Sequence, residues 1–483
     1  MNKKIDIRAE IITMRKKSVF KNGFSQGLEI PAIREVPLVS FPKDQTLICE
    51  IKRSSPSKGT ISSIDDPVKQ AGLYIEGGAD VISILTEEQY FNGSLKDLIN
   101  VKKKYPQQAV LRKDFLFSLE DIEISWRAGA DLVLLIASVL EKEIILQMYK
   151  RTKELGMEAL VEVHDKEDIE KIADFKPELV GINSRDLRTF TIDLILPIKI
   201  KQGIAWNPLL IFESGIRFPE EADFALSSGF NGILVGESVV KNTNLVSELK
   251  HKMLESKAGN FWERLYAEKN KKTLIKICGL TLIEDVEKAD ELGADILGFI
   301  LAESPRQADI SFIRELPPTK ALKAGVVVLK SPGQKLPGPV VQLMLDGKLD
   351  VIQFHGNEEP EECASLIYPY YKAVRINNSD DVDKIEMFRS PRVLIDAFSS
   401  TSYGGTGKQI DKKLINEVKK KHVLWLAGGI SPDNVRELIL EFNPELIDVS
   451  SSLEKYPGKK DHKKMEQLFK AASLCNQREY YGI

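Results

Sequence analysis

Arg127-Ala-Gly-Ala-Asp-Leu-Val-Leu-Leu-Ile136 decides how this chain folds, because it holds a complete joint between two elements. A glycine ends a helix, a tight turn follows, and an unbroken apolar run begins a buried strand. The phrase recurs. Glu76-Gly-Gly-Ala-Asp80 precedes Val81–Leu85, Ser228-Gly-Phe-Asn231 precedes Gly232–Val235, and Leu292-Gly-Ala-Asp295 precedes Ile296–Ile300. Repeated helix-to-strand joints imply βα units and parallel strands. Working outward from them, apolar runs begin near Thr46, Val81, Val110, Leu132, Glu158, Leu179, Leu209 and Gly232. A second set begins near Leu274, Ile296, Lys323, Val351, Tyr371, Arg392, Leu424 and Leu446. Eight runs and then eight, mostly a strand, loop and helix apart, predict an α/β chain of two tandem (β/α)8 TIM barrels. A doubly wound open sheet gives similar spacing, so the count alone leaves that alternative open.

The composition suits two barrels. The 483 residues are 43% hydrophobic and 29% charged, and single barrel domains run to roughly 200–250 residues. The 68 basic and 71 acidic side chains leave a net charge of −3, with no electrostatic footprint for nucleic acid. The longest apolar run, 132–140, is too short to span a bilayer, so no membrane association is expected. The N-terminus is basic but no apolar segment follows it, so no secretory signal is expected. Cys49, Cys278, Cys363 and Cys475 are scattered, with no CxxC pair and no histidine cluster nearby. That pattern argues against disulfides and metal sites and predicts a reducing, cytoplasmic setting. Boundaries are expected at 1–256, a linker or docking helix at 257–272, and 273–483, with one helix over 7–17 before the first strand. A Pro/Gly-rich loop or helix approach occupies 331–339.

Polar residues at the C-terminal ends of barrel strands face the mouth. Within Cys49-Glu-Ile-Lys-Arg-Ser-Ser-Pro-Ser57, Glu50 and Lys52 are two residues apart and therefore both point inward. Other runs end Leu111-Arg-Lys-Asp-Phe115, Leu160-Val-Glu-Val163, Gly181-Ile-Asn-Ser-Arg-Asp186, Phe212-Glu-Ser-Gly-Ile216 and Leu234-Val-Gly-Glu237. Charges on apolar strands are costly unless paired or used. An internal ion pair accounts for any one of them; the whole set at one mouth predicts a proton-transfer site. Crowded cations are expected to lower a lysine pKa there, and burial to raise that of a glutamate. The Ser-Gly and Gly-Glu turns after the seventh and eighth runs fit phosphate binding through backbone N–H groups.

Residues 49–57, 111–115, 160–163, 181–187 and 213–216 resemble indole-3-glycerol phosphate synthase, over about 6–250. The resemblance implies ring closure of carboxyphenylamino-deoxyribulose phosphate with loss of CO2 and water. It implies that Lys113 is the general acid on the substrate carbonyl. Glu162 is then the acid/base and cation-stabilising carboxylate, and Lys52 and Glu50 a pair for carboxylate binding and dehydration. Ser55, Asn183, Arg185, Glu213 and Ser214 match substrate-contact positions, and Gly215, Gly236 and Glu237 match the phosphate loops. Decarboxylation restores aromaticity, so no metal, pyridoxal or other cofactor is expected.

The second half reads differently. Ile275-Lys-Ile-Cys-Gly-Leu-Thr281 ends a strand at Cys278, and Ser304-Pro-Arg306, Ile352-Gln-Phe-His-Gly356 and Leu394-Ile-Asp-Ala397 follow later runs. Gly404-Gly-Thr-Gly-Lys408, Leu426-Ala-Gly-Gly-Ile430 and Asp448-Val-Ser-Ser451 come next, and the first of these lacks phosphate-loop spacing. Singly, a buried cysteine is a small core residue and an aspartate a helix cap. Together, a thiol and an acid on the first and sixth strands face each other across a mouth.

This set resembles phosphoribosylanthranilate isomerase, over about 272–472. The resemblance implies an Amadori rearrangement, with Asp396 protonating the ring oxygen and Cys278, as thiolate, removing the C2 proton. Arg306 matches a position near the anthranilate carboxylate. Gly405, Thr406, Gly407, Gly429, Ser450 and Ser451 match phosphate-cradling positions, and Gln353, His355 and Asp448 orient substrate or its contacts. Ser452 stands where the family usually has glycine. The product of the isomerase is the substrate of the synthase, so the two resemblances together predict a bifunctional enzyme of tryptophan biosynthesis. It is expected to act on phosphorylated small molecules, as a monomer with barrel–barrel contact inside one chain. The competing reading is a synthase alone, its second barrel a structural or phosphate-ligand-binding module.

Overall fold

The computed structural model describes residues 7–55, 59–61, 64–185, 191–255, 260–267, 273–331, 333–397 and 410–476. The chain divides into two compact units, Met1–Lys257 and Ala258–Ile483. In the first, β1 (Thr46–Ile51), β2 (Val81–Leu85), β3 (Ala109–Lys113), β4 (Leu132–Ile136), β5 (Glu158–Val163), β6 (Leu179–Asn183), β7 (Leu209–Glu213) and β8 (Gly232–Val235) close into a parallel barrel. In the second, the strands are β9 (Leu274–Cys278), β10 (Ile296–Ile300), β11 (Leu322–Val327), β12 (Val351–Phe354), β13 (Tyr370–Ile376), β14 (Val393–Ala397), β15 (Trp425–Leu426) and β16 (Leu446–Val449), again closed. Every barrel strand begins at, or one residue from, the position expected from the apolar runs. Helices alternate with the strands around each barrel.

The recurring joint has a physical cause. Gly78, Gly129, Gly229 and Gly293 all sit at positive φ, the left-handed conformation that ends a helix without a Cβ penalty. The acid or amide that follows closes the barrel floor. Asp80 Oδ2 accepts the Leu47 N–H of the neighbouring strand at 2.8 Å, Asp131 Oδ2 that of Val110 at 2.9 Å, Asn231 Oδ1 that of Leu210 at 2.9 Å and Asp295 Oδ2 that of Ile275 at 2.7 Å. Asp350 does the same for Lys323 at 2.7 Å, outside the quoted phrase. Each side chain satisfies a strand-initial donor that would otherwise be lost at the barrel rim.

Alternation along each strand then sorts the side chains. Leu132, Leu134 and Ile136 of β4 join Ile48, Leu111, Leu160, Leu179, Ile211 and Leu234 in the interior cluster of the first barrel. Lys113, Glu162 and Glu213 lie two residues beyond Leu111, Leu160 and Ile211, so they form the next layer up, at the mouth. Arg112 points the other way, into the helix layer, where it meets Asp114 at 3.1 Å and Ser125 at 3.0 Å.

The N-terminal helix, Ile7–Asn22, runs five residues beyond the expected 7–17, because nothing breaks it before Gly23 at φ 73°. Arg15 ties it to Asp121 at 3.2 Å. In the second unit the helix Phe261–Leu265 buries Phe261 and Trp262 against the barrel floor, with the Trp262 and Trp425 rings 5.9 Å apart. The proline-rich stretch leads into the helix Gly338–Leu345. No helix among the described residues is long and apolar enough to cross a membrane.

Candidate active sites

At the mouth of the first barrel, Lys113 Nζ lies 2.6 Å from Glu213 Oε2 and 3.1 Å from Glu162 Oε2. Asn183 Nδ2 donates to Glu162 Oε1 at 3.3 Å, and Lys52 Nζ pairs with Glu50 Oε1 at 2.7 Å. The strand register makes room for this. Gly181 is the rung neighbour of Glu162 on one side and Ile211 on the other, and any Cβ there would collide with Glu213 Oε1. Gly236 packs against the other pair: a Cβ would stand 2.7 Å from Glu50 Oε1 and 3.0 Å from Lys52 Nζ.

The electrostatics correct one expectation. Burial alone would lower Lys113, but Glu162, Glu213 and Glu50 outweigh it and hold the ammonium above its usual range. Lys113 is surrounded by carboxylates rather than cations, so it stays charged. The two glutamates separate. Burial raises Glu213 to about 8, whereas Glu162, equally buried, is held well below its usual range by Lys113 and His164.

His164, two residues beyond Glu162 on the same face, was not singled out in the sequence. Its Nε2 lies 3.0 Å from Glu162 Oε1 and its Nδ1 3.6 Å from Asp168 Oδ2. Burial would lower His164, but Asp168 and Glu162 raise it to about 9.

The remaining expected positions surround this cluster. Ser55 stands on a two-stranded ribbon, Ser54–Ser55 with Gly59–Thr60. Ser214 and Gly215 follow β7 with consecutive positive φ, 68° and 84°, and Ser184 Oγ donates to the Ser214 carbonyl at 2.9 Å. Gly236 caps the helix Glu237–Lys241, and the Glu237 carboxylate is drawn off to Lys241 Nζ at 2.6 Å. The Glu237 carboxylate therefore points at Lys241, and the backbone is what this turn offers an anion. Arg185 N–H donates to Asn183 Oδ1 at 3.0 Å, and its guanidinium is lowered by burial and raised by Glu237.

In the second barrel Cys278 ends β9, with Lys276 on the same face beneath it. Gly298 of β10 leaves the space: a Cβ there would stand 2.8 Å from Cys278 Sγ and 3.0 Å from Lys276 Cε. Lys276 Nζ donates to Asp448 Oδ2 and, at 2.7 Å, to Gln353 Oε1, which also accepts from Tyr371 OH at 2.9 Å. A lysine has only donors, so it fixes the amide with Nε2 toward His355 Nδ1, 3.0 Å away. That nitrogen must accept, leaving the proton on Nε2, which faces Asp396 Oδ2 at 3.1 Å. One polar chain thus runs from beneath Cys278 to Asp396. Gly428, at φ 86°, leaves Asp396 its place, since a Cβ would stand 2.9 Å from Oδ1.

The thiol itself is buried. Burial pushes the Cys278 thiol up, and the Lys276 and Lys460 ammonium groups oppose this in part. Among the phosphate positions, Gly429 has φ 64° and its carbonyl accepts from Asn434 Nδ2 at 2.8 Å. Ser450 Oγ donates to the Cys278 carbonyl at 3.0 Å, and Ser451 opens the short helix Ser451–Leu453. Gly405, Thr406 and Gly407 lie outside the described residues.

A family model described as indole-3-glycerol phosphate synthase matches residues 6–254, just over half of the chain. The chain belongs to that family. Behind the synthase region, a model described as N-(5'phosphoribosyl)anthranilate (PRA) isomerase matches residues 275–471. A tryptophan biosynthesis protein, TrpCF, of Yersinia pestis is 30% identical over 89% of this chain and 85% of its own length. Multifunctional tryptophan biosynthesis proteins of Schizosaccharomyces pombe and Phycomyces blakesleeanus are 31% and 30% identical over 88% and 92% of the chain. The chain spans 59% and 65% of those two relatives.

Where this member departs from the isomerase pattern, the structure gives the reason it can. Ser452 is not among the residues with positive φ, and its Oγ donates to the Ile430 carbonyl at 2.5 Å. The position does not demand glycine. Besides His164, the sequence reading passed over Lys276, Tyr371, Gly298, Gly428 and Lys460. For Lys276 and His164 a signal was present: each is two residues from a chosen site residue and shares its face.

Proposed function

We propose that the chain catalyses two consecutive steps of tryptophan biosynthesis, one in each unit. The second isomerises N-(5-phosphoribosyl)anthranilate to 1-(2-carboxyphenylamino)-1-deoxyribulose 5-phosphate, and the first closes that product to indole-3-glycerol phosphate with loss of CO2 and water. The observation that carries this reading is that each mouth gathers groups able to give and to take a proton into one polar cluster: Lys113 with Glu162 and Glu213, and Asp396 joined through His355 and Gln353 to Lys276 beneath Cys278.

In the second unit Asp396 donates a proton to the ribosyl ring oxygen as the ring opens, and Cys278 takes the C2 proton. Arg306 receives the anthranilate carboxylate, for which a planar fork is suited. The turns at Gly429, Ser450 and Ser451 hold the phosphate. In the first unit Lys113, kept charged by its glutamates, protonates the substrate carbonyl during ring closure. Glu162 stabilises the cation and moves the later proton, and Glu50 with Lys52 serves carboxylate binding and dehydration. Ser55, Asn183, Arg185 and Ser214 contact substrate, and Gly215, Gly236 and the Glu237 backbone take the phosphate. The buried free thiols Cys49, Cys278 and Cys363 fit a cytoplasmic setting.

The test is to give the purified chain fresh phosphoribosylanthranilate and identify the end product by mass. Indole-3-glycerol phosphate is expected. Accumulation of carboxyphenylamino-deoxyribulose phosphate would remove the synthase assignment, and unchanged substrate the isomerase assignment.

A further inference from the structure

After β16 the chain passes through Ser451–Leu453 into an antiparallel ribbon, Glu454–Tyr456 with Lys459–Lys460, which the reaction above does not use. Its Lys460 side chain is wholly buried. Nζ donates to the Cys278 carbonyl at 2.6 Å, the Ser450 carbonyl at 3.2 Å and Glu454 Oε1 at 3.1 Å, which occupies all three of its protons. Glu454 is also buried, and its two oxygens accept from Arg306 Nε at 2.9 and 3.0 Å. A buried lysine–glutamate pair is costly to desolvate, and here the carbonyls and the guanidinium that it binds offset that cost. What the charged pair adds is an orientation. Arg306 is bound through Nε alone, its two Nη groups have no partner among the described residues, and its side chain stays 15% exposed.

The Arg306 stem is placed as closely as its head. It runs over Gly279, at φ 74°, where a Cβ would stand 3.0 Å from Arg306 Cδ and 3.1 Å from Ser450 Oγ. The ribbon's tip is pinned too, since Thr281 Oγ1 donates to the Gly458 carbonyl at 2.6 Å. One ribbon therefore grips the backbone of the thiol residue, the backbone of a phosphate-turn residue, and the Nε of Arg306.

We propose that Glu454, itself held by Lys460, is a positioning residue for the isomerase. It aims the Nη fork of Arg306 at the carboxylate of an ortho-carboxylated aryl amine, in fixed register with Cys278. The inference rests on the isomerase reading and adds to it a determinant of substrate class. An unheld arginine loses several rotors of freedom on binding; one clamped at Nε has lost them on folding, so its carboxylate contact is preorganised.

The test compares isomerisation of N-(5-phosphoribosyl)anthranilate with that of N-(5-phosphoribosyl)aniline, which lacks the carboxylate, by the full chain. Wild type should favour the anthranilate. Glu454→Gln should raise KM for the anthranilate about tenfold and change kcat less than about twofold, the signature of lost binding without lost chemistry. kcat/KM for the aniline should not move. In an Arg306→Met background the same change should cost nothing further, because the two residues act as one. Equal losses on both substrates, a fall confined to kcat, or additive effects in the double variant would overturn the proposal. A wild-type chain that isomerises neither substrate would instead overturn the isomerase reading itself. Should Glu454→Gln fail to fold, Glu454→Asp, which keeps the charge but retracts it, supports the same comparison.

Discussion

Glu162 and Glu213 flank one ammonium, and burial acts on both, yet one is acidified and the other made a weak acid. The difference is the second cation that Glu162 has in His164. Because the folded pKa of His164 is raised to about 9 from an ordinary value near 6.5, the protonated ring stabilises the fold. That contribution is complete below the unfolded pKa and disappears as pH rises through about 9. Calorimetric melting of wild type and His164→Asn should therefore differ most near pH 6, and the two curves should converge by about pH 10. A gap that widens with pH would rule out the charged ring. Cys278 gives a kinetic counterpart. With its thiol pushed up by burial, kcat/KM for isomerisation should rise through neutrality and go on rising past about pH 8.5, where an ordinary thiol is already half ionised. A plateau by about pH 7 would mean that the base is another group or is already ionised at rest.

Strands decide where these residues stand, and single glycines decide whether they fit. Gly298 on β10 is the rung partner of Cys278, and the added methyl of Gly298→Ala would meet sulfur at 2.8 Å. Overpacking of that kind costs about 1–3 kcal/mol, so the second unit should still fold while isomerase kcat falls at least about tenfold. Ring closure, measured on separately supplied carboxyphenylamino-deoxyribulose phosphate, should be unchanged; a loss there would show that the substitution acts by general unfolding. At this scale the sequence was most readable. Apolar runs and Gly-Ala-Asp joints marked the strands because both are local, and alternation put Glu50 and Lys52 on one side for the same reason. What could not be read was pairing across strands. That Lys113 meets Glu213 through the space above Gly181, that His164 discharges its charge onto Glu162, or that Lys460 reaches back across 182 residues to the Cys278 carbonyl depends on register and closure. The expectation of a lowered lysine failed at Lys113 for this reason: the residues were right, but the carboxylates that hold its ammonium come from other strands.

The two clusters share no residue. Glu50, Lys113, Glu162, Asn183 and Glu213 fall in Met1–Lys257, and Cys278, Arg306, His355, Asp396 and Glu454 in Ala258–Ile483. Each unit closes its own barrel. If the two active sites are chemically complete by themselves, the intermediate is the sole link between them, and the steps can be divided between molecules. Lys113→Ala should convert phosphoribosylanthranilate only as far as carboxyphenylamino-deoxyribulose phosphate, since loss of a general acid costs roughly 10²–10⁴ in rate. Asp396→Asn should leave phosphoribosylanthranilate untouched and close the ring of supplied intermediate at the wild-type rate. Mixed in equal amounts, the two variants should form indole-3-glycerol phosphate after a lag, which shortens as the chains are concentrated because the intermediate must first accumulate in solution. Quenched time courses with all three compounds resolved by mass follow this directly. A mixture that stops at the intermediate, although each variant performs its own half-reaction, would show that the synthase site accepts only what its own chain delivers.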